Sequence, residues 1–261
     1  MFSQEPRCRY ERNQLGEVIC QLRFPEILTI ETNVPADFQE AIRRDFPIYS
    51  SRKDNPPPKL TGQPGNVRLQ PQPQINNYQF ASEDGRWRVN LTSSFISLAC
   101  SGYTCWEDFA QKLDKPLASF IQLYRPAFFD RVGLRYLNFI SRRELSLEGT
   151  PWQELISSRY LGLLSDEEVA ESAIARSTVE AELSLPGGCR VKLHAGPGQI
   201  KKNGVDDKEV RFIFDQDLFM AGKVPVNVSA GALETLHRHA GSIFRDAITD
   251  TLHDAMEPQS I

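Results

Sequence analysis

Arginine alternates with apolar residues in the stretch FFDRVGLRYLNFI, residues 128–140. Successive side chains of a β-strand point to opposite faces, so this period of two predicts a strand with one apolar face and one polar face. The apolar residues would face a core, whereas Arg131, Gly133 and Arg135 would point outward. Gly133 leaves space between the two arginines in which another backbone or a ligand could approach. The stretch therefore predicts a sheet that buries one face and leaves the other available for binding.

The same alternation places more basic side chains on the outward face of the other predicted strands. These residues are Arg23, Arg86, Arg88, Arg190, Lys192 and Arg211, together with His194, and they join Arg131 and Arg135. Five carboxylates also fall there, those of Glu17, Glu180, Glu182, Glu209 and Asp215. Eight arginines and lysines against five carboxylates leave an excess of positive charge on a chain whose net charge is −4.

This excess favours a non-enzymatic binding protein that holds an acidic or phosphate-bearing partner on its arginine-rich face. The partner could be an acidic protein surface or a phosphate-bearing ligand, and nucleic acid stays possible. The alternative is an ordinary solvated face on which cross-strand ion pairs balance one another.

Two halves with a similar order of elements follow one another along the chain, with a division between residues 127 and 128. Each half reads as a strand, a short helix, several strands and a long amphipathic helix. The long helices are predicted to begin near residue 105 and near Ser229, and Pro116 is expected to kink or break the first one. Residues 51–75 are rich in proline and predict an irregular connection.

These elements predict an α+β protein with a curved, mainly antiparallel sheet and two long helices packed on one face. The two halves, residues 1–127 and 128–261, would share one continuous sheet and form a single structural unit. This arrangement is similar to the architecture of the TATA-binding protein, a likeness of fold that carries no function.

The composition is that of an ordinary globular protein, with 40% hydrophobic and 25% charged residues. No apolar run reaches the length of about 18 residues that a membrane helix needs, and the charged N-terminus does not resemble a signal peptide. The five cysteines are scattered and form no C-x-x-C pair, which favours reduced thiols and a cytoplasmic protein without membrane contact.

The sequence contains no recognisable catalytic motif, and it predicts no cofactor, no metal ligand set and no catalytic residue. A second hypothesis is an enzyme or a nucleotide- or metal-dependent switch with a pocket near His194, the loop of residues 196–204, Asp215 and Asp217. Asp215 and Asp217 are expected to end a strand. A third hypothesis is a structural or inhibitor subunit that acts through its helices. His237 and His239 are expected to lie at the surface of the last helix.

Several segments resemble those of a known bacterial family. They are residues 17–24, YTCWEDF at 103–109, FDRVGLRYLN at 129–138, FIFDQD at 212–217 and IFRDAIT at 243–249. Together they are similar to a sporadically distributed bacterial protein family of about this length, one whose function is uncharacterised. The resemblance implies a stand-alone bacterial protein, and the patchy distribution implies an accessory role. It transfers no active-site residue.

Overall fold

A computed structural model describes residues 2–56, 58–63, 66–202 and 205–260. The strands are β1 (Cys8–Tyr10), β2 (Leu15–Arg23), β3 (Ile48–Asp54), β4 (Lys59–Gln63), β5 (Asn66–Gln70), β6 (Ile75–Ala81), β7 (Trp87–Leu91), β8 (Phe95–Cys100), β9 (Phe129–Ile140), β10 (Val179–Leu185), β11 (Cys189–Gly198), β12 (Lys201–Lys202), β13 (Val205–Asp206), β14 (Arg211–Val224) and β15 (Pro258–Ser260). The helices are α1 (Leu28–Thr32), α2 (Ala36–Ile42), α3 (Trp106–Tyr124), α4 (Trp152–Leu155), α5 (Ser229–Ala247) and α6 (Asp250–Ala255). The predicted α+β class with a large antiparallel sheet is confirmed.

Nine strands form one sheet in the order β10-β11-β14-β9-β2-β8-β7-β6-β3. Strands β2 and β9, one from each predicted half, pair antiparallel near the centre of this sheet. Strands β8, β7, β6 and β3 follow on one side and β14, β11 and β10 on the other, so strands from both halves belong to a single sheet. The pairs β1–β15, β4–β5 and β12–β13 form separate two-stranded sheets. The division at residues 127 and 128 and the likeness to the TATA-binding protein stay predictions.

The two long helices pack on the same face of this sheet. Trp106 of α3 stacks on His237 of α5, with ring centroids 4.6 Å apart. His237 in turn contacts the hydroxyl of Tyr136, which lies on the apolar face of β9. The core between helices and sheet is largely aliphatic and aromatic, and its burial supplies the main driving force for folding.

The opposite face of the sheet carries Arg131, Arg135, Asp215 and Asp217, and we call it the outer face. The alternation of β9 assigns these side chains correctly: Val132, Leu134 and Tyr136 are buried toward the helices.

Four element boundaries differ from the sequence-based expectation. Strand β3 lies mostly in a segment that was expected to be irregular, but it pairs with β6 as an edge strand. Its side chains are mostly polar and exposed, so the sequence shows no alternation of apolar and polar residues there. Helix α3 is not broken into two at Pro116, since the proline is buried in the apolar stripe that packs on the sheet. Strand β14 continues to Val224, well beyond Asp217. The last helix ends at Ala247 and a separate helix, α6, follows.

Candidate functional site

Arg131 and Arg135 lie on the outer face, as the alternation predicts, and both are paired with carboxylates of β14. The open space expected at Gly133 is absent, because the Arg131 guanidinium lies over this glycine and would clash with a Cβ there. Arg135 donates to both oxygens of Asp215, with distances of 2.8 and 2.5 Å. Arg131 donates to Asp217 Oδ1 at 2.6 Å, and its guanidinium lies 4.7 Å from the ring centroid of Phe219. Because the hydrogen bonds to Asp215 stabilise the charged guanidinium, they raise the pKa of Arg135.

All but one of the other basic side chains of the outer face also contact carboxylates. Arg88 lies 3.5 Å from Glu17, and the remaining contacts join β10 with β11. There Arg190 and Lys192 lie 3.0 and 3.9 Å from Glu182, and His194 Nδ1 lies 3.2 Å from Glu180 Oε1. Exposed pairs of this kind contribute little to stability, about 0–1 kcal/mol each.

Strand β3 adds a further pair to the outer face, since Arg52 lies 2.8 Å from Asp54. On the described strands the outer face carries seven exposed or half-buried arginines and lysines, Arg23, Arg52, Arg88, Arg131, Arg135, Arg190 and Lys192. It carries six carboxylates, Glu17, Asp54, Glu180, Glu182, Asp215 and Asp217. The positive excess is therefore smaller than the sequence predicts.

Two predicted members of the cationic surface lie elsewhere. Arg211 was expected to be exposed, but it is 5% exposed because Glu144, Asp207 and Glu209 surround its guanidinium. Arg86 precedes β7, and its Nε donates to Asp84 at 2.6 Å within the turn that connects β6 with β7. Arg211 begins β14 but is buried, and Arg86 lies in the turn before β7, so neither adds an unpaired cation to the outer face.

Arg23 differs from the other cations of the outer face. Its side chain is exposed at the end of β2, and it forms no ion pair within the described ranges. It lies directly opposite Arg131 on the neighbouring strand β9. Like charges opposite one another on neighbouring strands destabilise a sheet, and Asp217 balances only one of these two arginines.

The structure brings His194, Asp215 and Asp217 to one shallow groove of about 520 Å³ on the outer face. The two aspartates lie within β14 and not at its end, because the strand continues to Val224. Among the described residues no three His, Cys, Asp or Glu side chains are grouped closely enough to hold a metal ion. Asn203 and Gly204 of the loop at residues 196–204 lie outside the described residues.

A second cavity, of about 340 Å³, lies on the helix side of the sheet, and it was not predicted. We call it the helix-side cavity and define it by Tyr103, Trp106, Tyr136, Gln216, His237 and Phe244, which line it. Residues 3–10, the N-terminal segment, form another wall. This segment is held by the ion pair of Glu5 with Arg245 at 2.5 Å and by a hydrogen bond from Ser242 to the carbonyl of Ser3.

His237, Gln216 and Asn138 are buried polar residues of the helix-side cavity, and the amide of Asn138 donates to the Phe214 carbonyl. His237 was expected at the surface, but it is 8% exposed, and its Nδ1 lies 2.7 Å from the Tyr136 hydroxyl. Burial lowers the pKa of His237 to about 3, so the ring is neutral at physiological pH. Its Nε2 and the Oε1 of Gln216 find no hydrogen-bond partner within the described part of the chain.

The sequence contained a weak signal for this cavity. Gln216 lies on the apolar side of β14, between Phe214 and Leu218, where an amide interrupts a row of core residues. His237 directly follows Leu236 in the helix. Its position in the sequence therefore does not show whether the histidine is buried or exposed. Only the packing of α3 against α5 buries it.

No protein-family model matches the chain, and a search of curated proteins finds no match. The resemblance to a sporadically distributed bacterial family is therefore still a prediction. None of the helices in the described ranges combines the length and the apolar character needed to cross a membrane.

Proposed function

We propose that this chain is a non-enzymatic binding protein that docks an acidic protein partner on the outer face of its sheet. The observation that carries the proposal is the arrangement of Arg23 opposite Arg131, of which only Arg131 is paired with a carboxylate, that of Asp217 on the far side of β9. Burying a guanidinium without an anion is unfavourable, whereas a carboxylate from a partner can bind it in a bidentate manner.

The class of partner follows from the rest of the outer face. The half formed by β9, β14, β11 and β10 alternates cations with carboxylates, and these carboxylates would repel a continuous polyanion. A protein surface can present separate carboxylates to the cations and cations to the acids. This complementarity favours an acidic protein surface over a nucleic acid or a free phosphate-bearing ligand.

The experiment is a pull-down from native lysate with the full chain as bait. Arg23→Glu reverses the unpaired charge and breaks no ion pair in the described part of the chain. We expect it to lose partners that wild type retains at low salt and releases at high salt. Arg44→Glu is the matched control, because Arg44 is an exposed arginine just after α2 and away from the sheet.

Partners bound equally by wild type and Arg23→Glu would remove the proposal. If Arg23→Glu and Arg44→Glu lose the same partners to the same extent, the loss reflects the change in net charge, and this result would also contradict the proposal. If phosphate-bearing ligands compete with the captured protein for the outer face, the partner would be identified as a phosphate-bearing ligand and not as an acidic protein surface.

A second candidate is the enzyme or the nucleotide- or metal-dependent switch at the groove of His194, Asp215 and Asp217. The observation that favours it is the placement of these three side chains around one groove. Nucleotides or divalent metals that bind there would raise the melting temperature of wild type and would do so less for His194→Ala. No shift at millimolar ligand would leave this candidate without support.

We further infer a reducing, cytoplasmic location and a bacterial origin. All five cysteines are free thiols, which supports the first inference. The bacterial origin rests on the family resemblance. The hypothesis of a structural or inhibitor subunit has less support, because the apolar stripe of α5 is buried against the sheet.

A further inference from the structure

We propose that the helix-side cavity is a binding site for an uncharged, planar nitrogen heterocycle of the nucleobase type. The proposal is independent of the docking surface, because the cavity lies on the opposite side of the sheet. It rests on the unpartnered polar atoms of Gln216 and His237 and on the aromatic walls around them.

The two unpartnered atoms converge on one place in the fold. Gln216 lies directly opposite Tyr136 in the pairing of β14 with β9, so both side chains point toward the helices from neighbouring strands. The Tyr136 hydroxyl contacts His237 Nδ1, which orients the ring and leaves Nε2 as its second polar atom. Trp106 stacks on the ring and fixes its plane. Tyr136 and His237 therefore form a fixed hydrogen-bonded pair, and Gln216 lies next to Tyr136 on the neighbouring strand.

A purely structural role does not account for this group. An unsatisfied buried polar atom costs about 1–3 kcal/mol, and an apolar residue at position 216 would avoid that cost. Gln216 is 1% exposed, and its Oε1 has no partner among the residues described. Such costs are tolerated where a ligand supplies the missing hydrogen bond, and pockets of roughly 300–1,000 Å³ with few polar groups are typical ligand sites.

The chemistry of the cavity defines the ligand class. Gln216 Oε1 accepts a hydrogen bond and therefore needs an N–H or O–H donor on the ligand. A neutral His237 offers Nε2 as either donor or acceptor, depending on the tautomer. Tyr103 and Phe244 supply flat apolar surfaces, which favour a ring over an extended chain. Nucleobases combine a planar ring with a donor and an acceptor on one edge.

Burial opposes a charged ligand inside the cavity. It raises the pKa of Tyr136 well above its ordinary value and lowers that of His237, so both side chains stay neutral. The arginines that line the cavity, Arg7, Arg9, Arg238 and Arg245, belong to the N-terminal segment or to α5. They can contact a polar substituent of the ligand near the opening.

The experiment measures binding of adenosine, guanosine, cytidine and uridine to the full chain by isothermal titration calorimetry and saturation-transfer NMR. We expect at least one nucleoside to bind wild type. Gln216→Leu removes the acceptor, and His237→Phe removes Nε2 while it keeps a ring against Trp106. Each change is expected to weaken binding about tenfold, the effect of losing one hydrogen bond of about 1.4 kcal/mol.

His239→Phe is the matched control, since His239 is half-buried on the same helix, contacts the Pro186 carbonyl and is not a lining residue of the cavity. It should bind the nucleoside as wild type does. Gln216→Leu should unfold at a temperature no lower than wild type when no ligand is present, which separates lost binding from lost folding.

Three results would overturn the proposal. The first is that wild type binds no nucleoside at millimolar concentration. The second is that Gln216→Leu and His237→Phe bind as tightly as wild type. The third is that indole, an apolar probe with a single donor, binds more tightly than every nucleoside and gains affinity in Gln216→Leu, which would identify an apolar cavity.

Discussion

At the scale of single residues, His237 illustrates how packing changes the chemistry of a side chain. The histidine contacts Tyr136 and Trp106 in a buried position, and burial lowers its pKa to about 3. In the unfolded chain the ring takes up a proton near its ordinary pKa of 6.5. Below that pH the unfolded state binds more protons than the folded state, so stability falls as the pH falls from 6.5 toward 3.

We predict that His237→Phe makes the stability less dependent on pH. In wild type this histidine should contribute a slope of up to about 1.4 kcal/mol per pH unit below pH 6.5. Urea unfolding at pH 7, 6 and 5 measures the slope, above the range in which most carboxylates take up protons. His239→Phe is the reference, and it should keep the wild-type slope. A wild-type slope in His237→Phe would contradict the prediction.

The face of the sheet on which each β9 side chain lies was predictable, because side-chain direction in a strand repeats every two residues. Arg131 and Arg135 were assigned to the correct face by counting. Their partners were not predictable, because Asp215 and Asp217 belong to a strand 80 residues later in the chain. The register of β9 with β14 decides that each arginine meets a carboxylate, and register is a property of the folded sheet.

At the scale of elements, the break between α5 and α6 depends on Thr249. Its hydroxyl accepts a hydrogen bond from the Leu252 N–H at 3.4 Å and donates one to the Glu154 carbonyl at 2.6 Å. The neighbouring residue, Ile248, is extended and forms an isolated bridge with Ile156. One threonine therefore begins α6 and ties it to α4.

We predict that Thr249→Ala lowers the free energy of unfolding by about 1 kcal/mol, the usual cost of removing an N-cap side chain. Thr249→Ser keeps the hydroxyl and should stay within a few tenths of a kcal/mol of wild type. Urea denaturation followed by circular dichroism gives both values. Equal stability of the alanine and serine variants would show that the hydroxyl has no capping role.

The end of β14 was misjudged for an identifiable reason. Asp215 and Asp217 were interpreted as the end of a strand, since aspartate is typical of turns. In the structure both carboxylates lie on the outer face and pair with arginines of β9, so they fit within the strand. A cross-strand ion pair can therefore override the local preference of a residue.

At the scale of the whole molecule, β2 and β9 join the two predicted halves at the centre of the sheet. If either half folded alone, its central strand would become an exposed edge with unpaired backbone groups. Part of the core would also be exposed, since Trp106 and His237 pack together from opposite halves. These contacts favour a single cooperative unit.

We predict that both halves unfold in one transition and that fragments 1–127 and 128–261 do not fold separately. Trp152→Phe leaves Trp87 and Trp106 as reporters of the first half. The double variant Trp87→Phe/Trp106→Phe leaves Trp152 as a reporter of the second half. Unfolding of each variant should give coincident fluorescence and circular dichroism curves.

Two transitions separated within one variant, or a folded spectrum from either fragment alone, would contradict this prediction. Mixing the two fragments gives a further test. Because β2 and β9 supply complementary edges, the mixture is expected to show more β-structure than the sum of its parts.

The sequence by itself determined the α+β class, the antiparallel sheet and the face on which most strand residues lie. These properties follow from local patterns, because side-chain direction repeats every two residues in a strand and every 3.6 residues in a helix. Tertiary structure alone decided the partners of the outer-face arginines, the burial of Arg211 and His237, and the helix-side cavity. Each of these depends on residues far apart in the chain, which only the register of the sheet and the packing of α3 and α5 bring together.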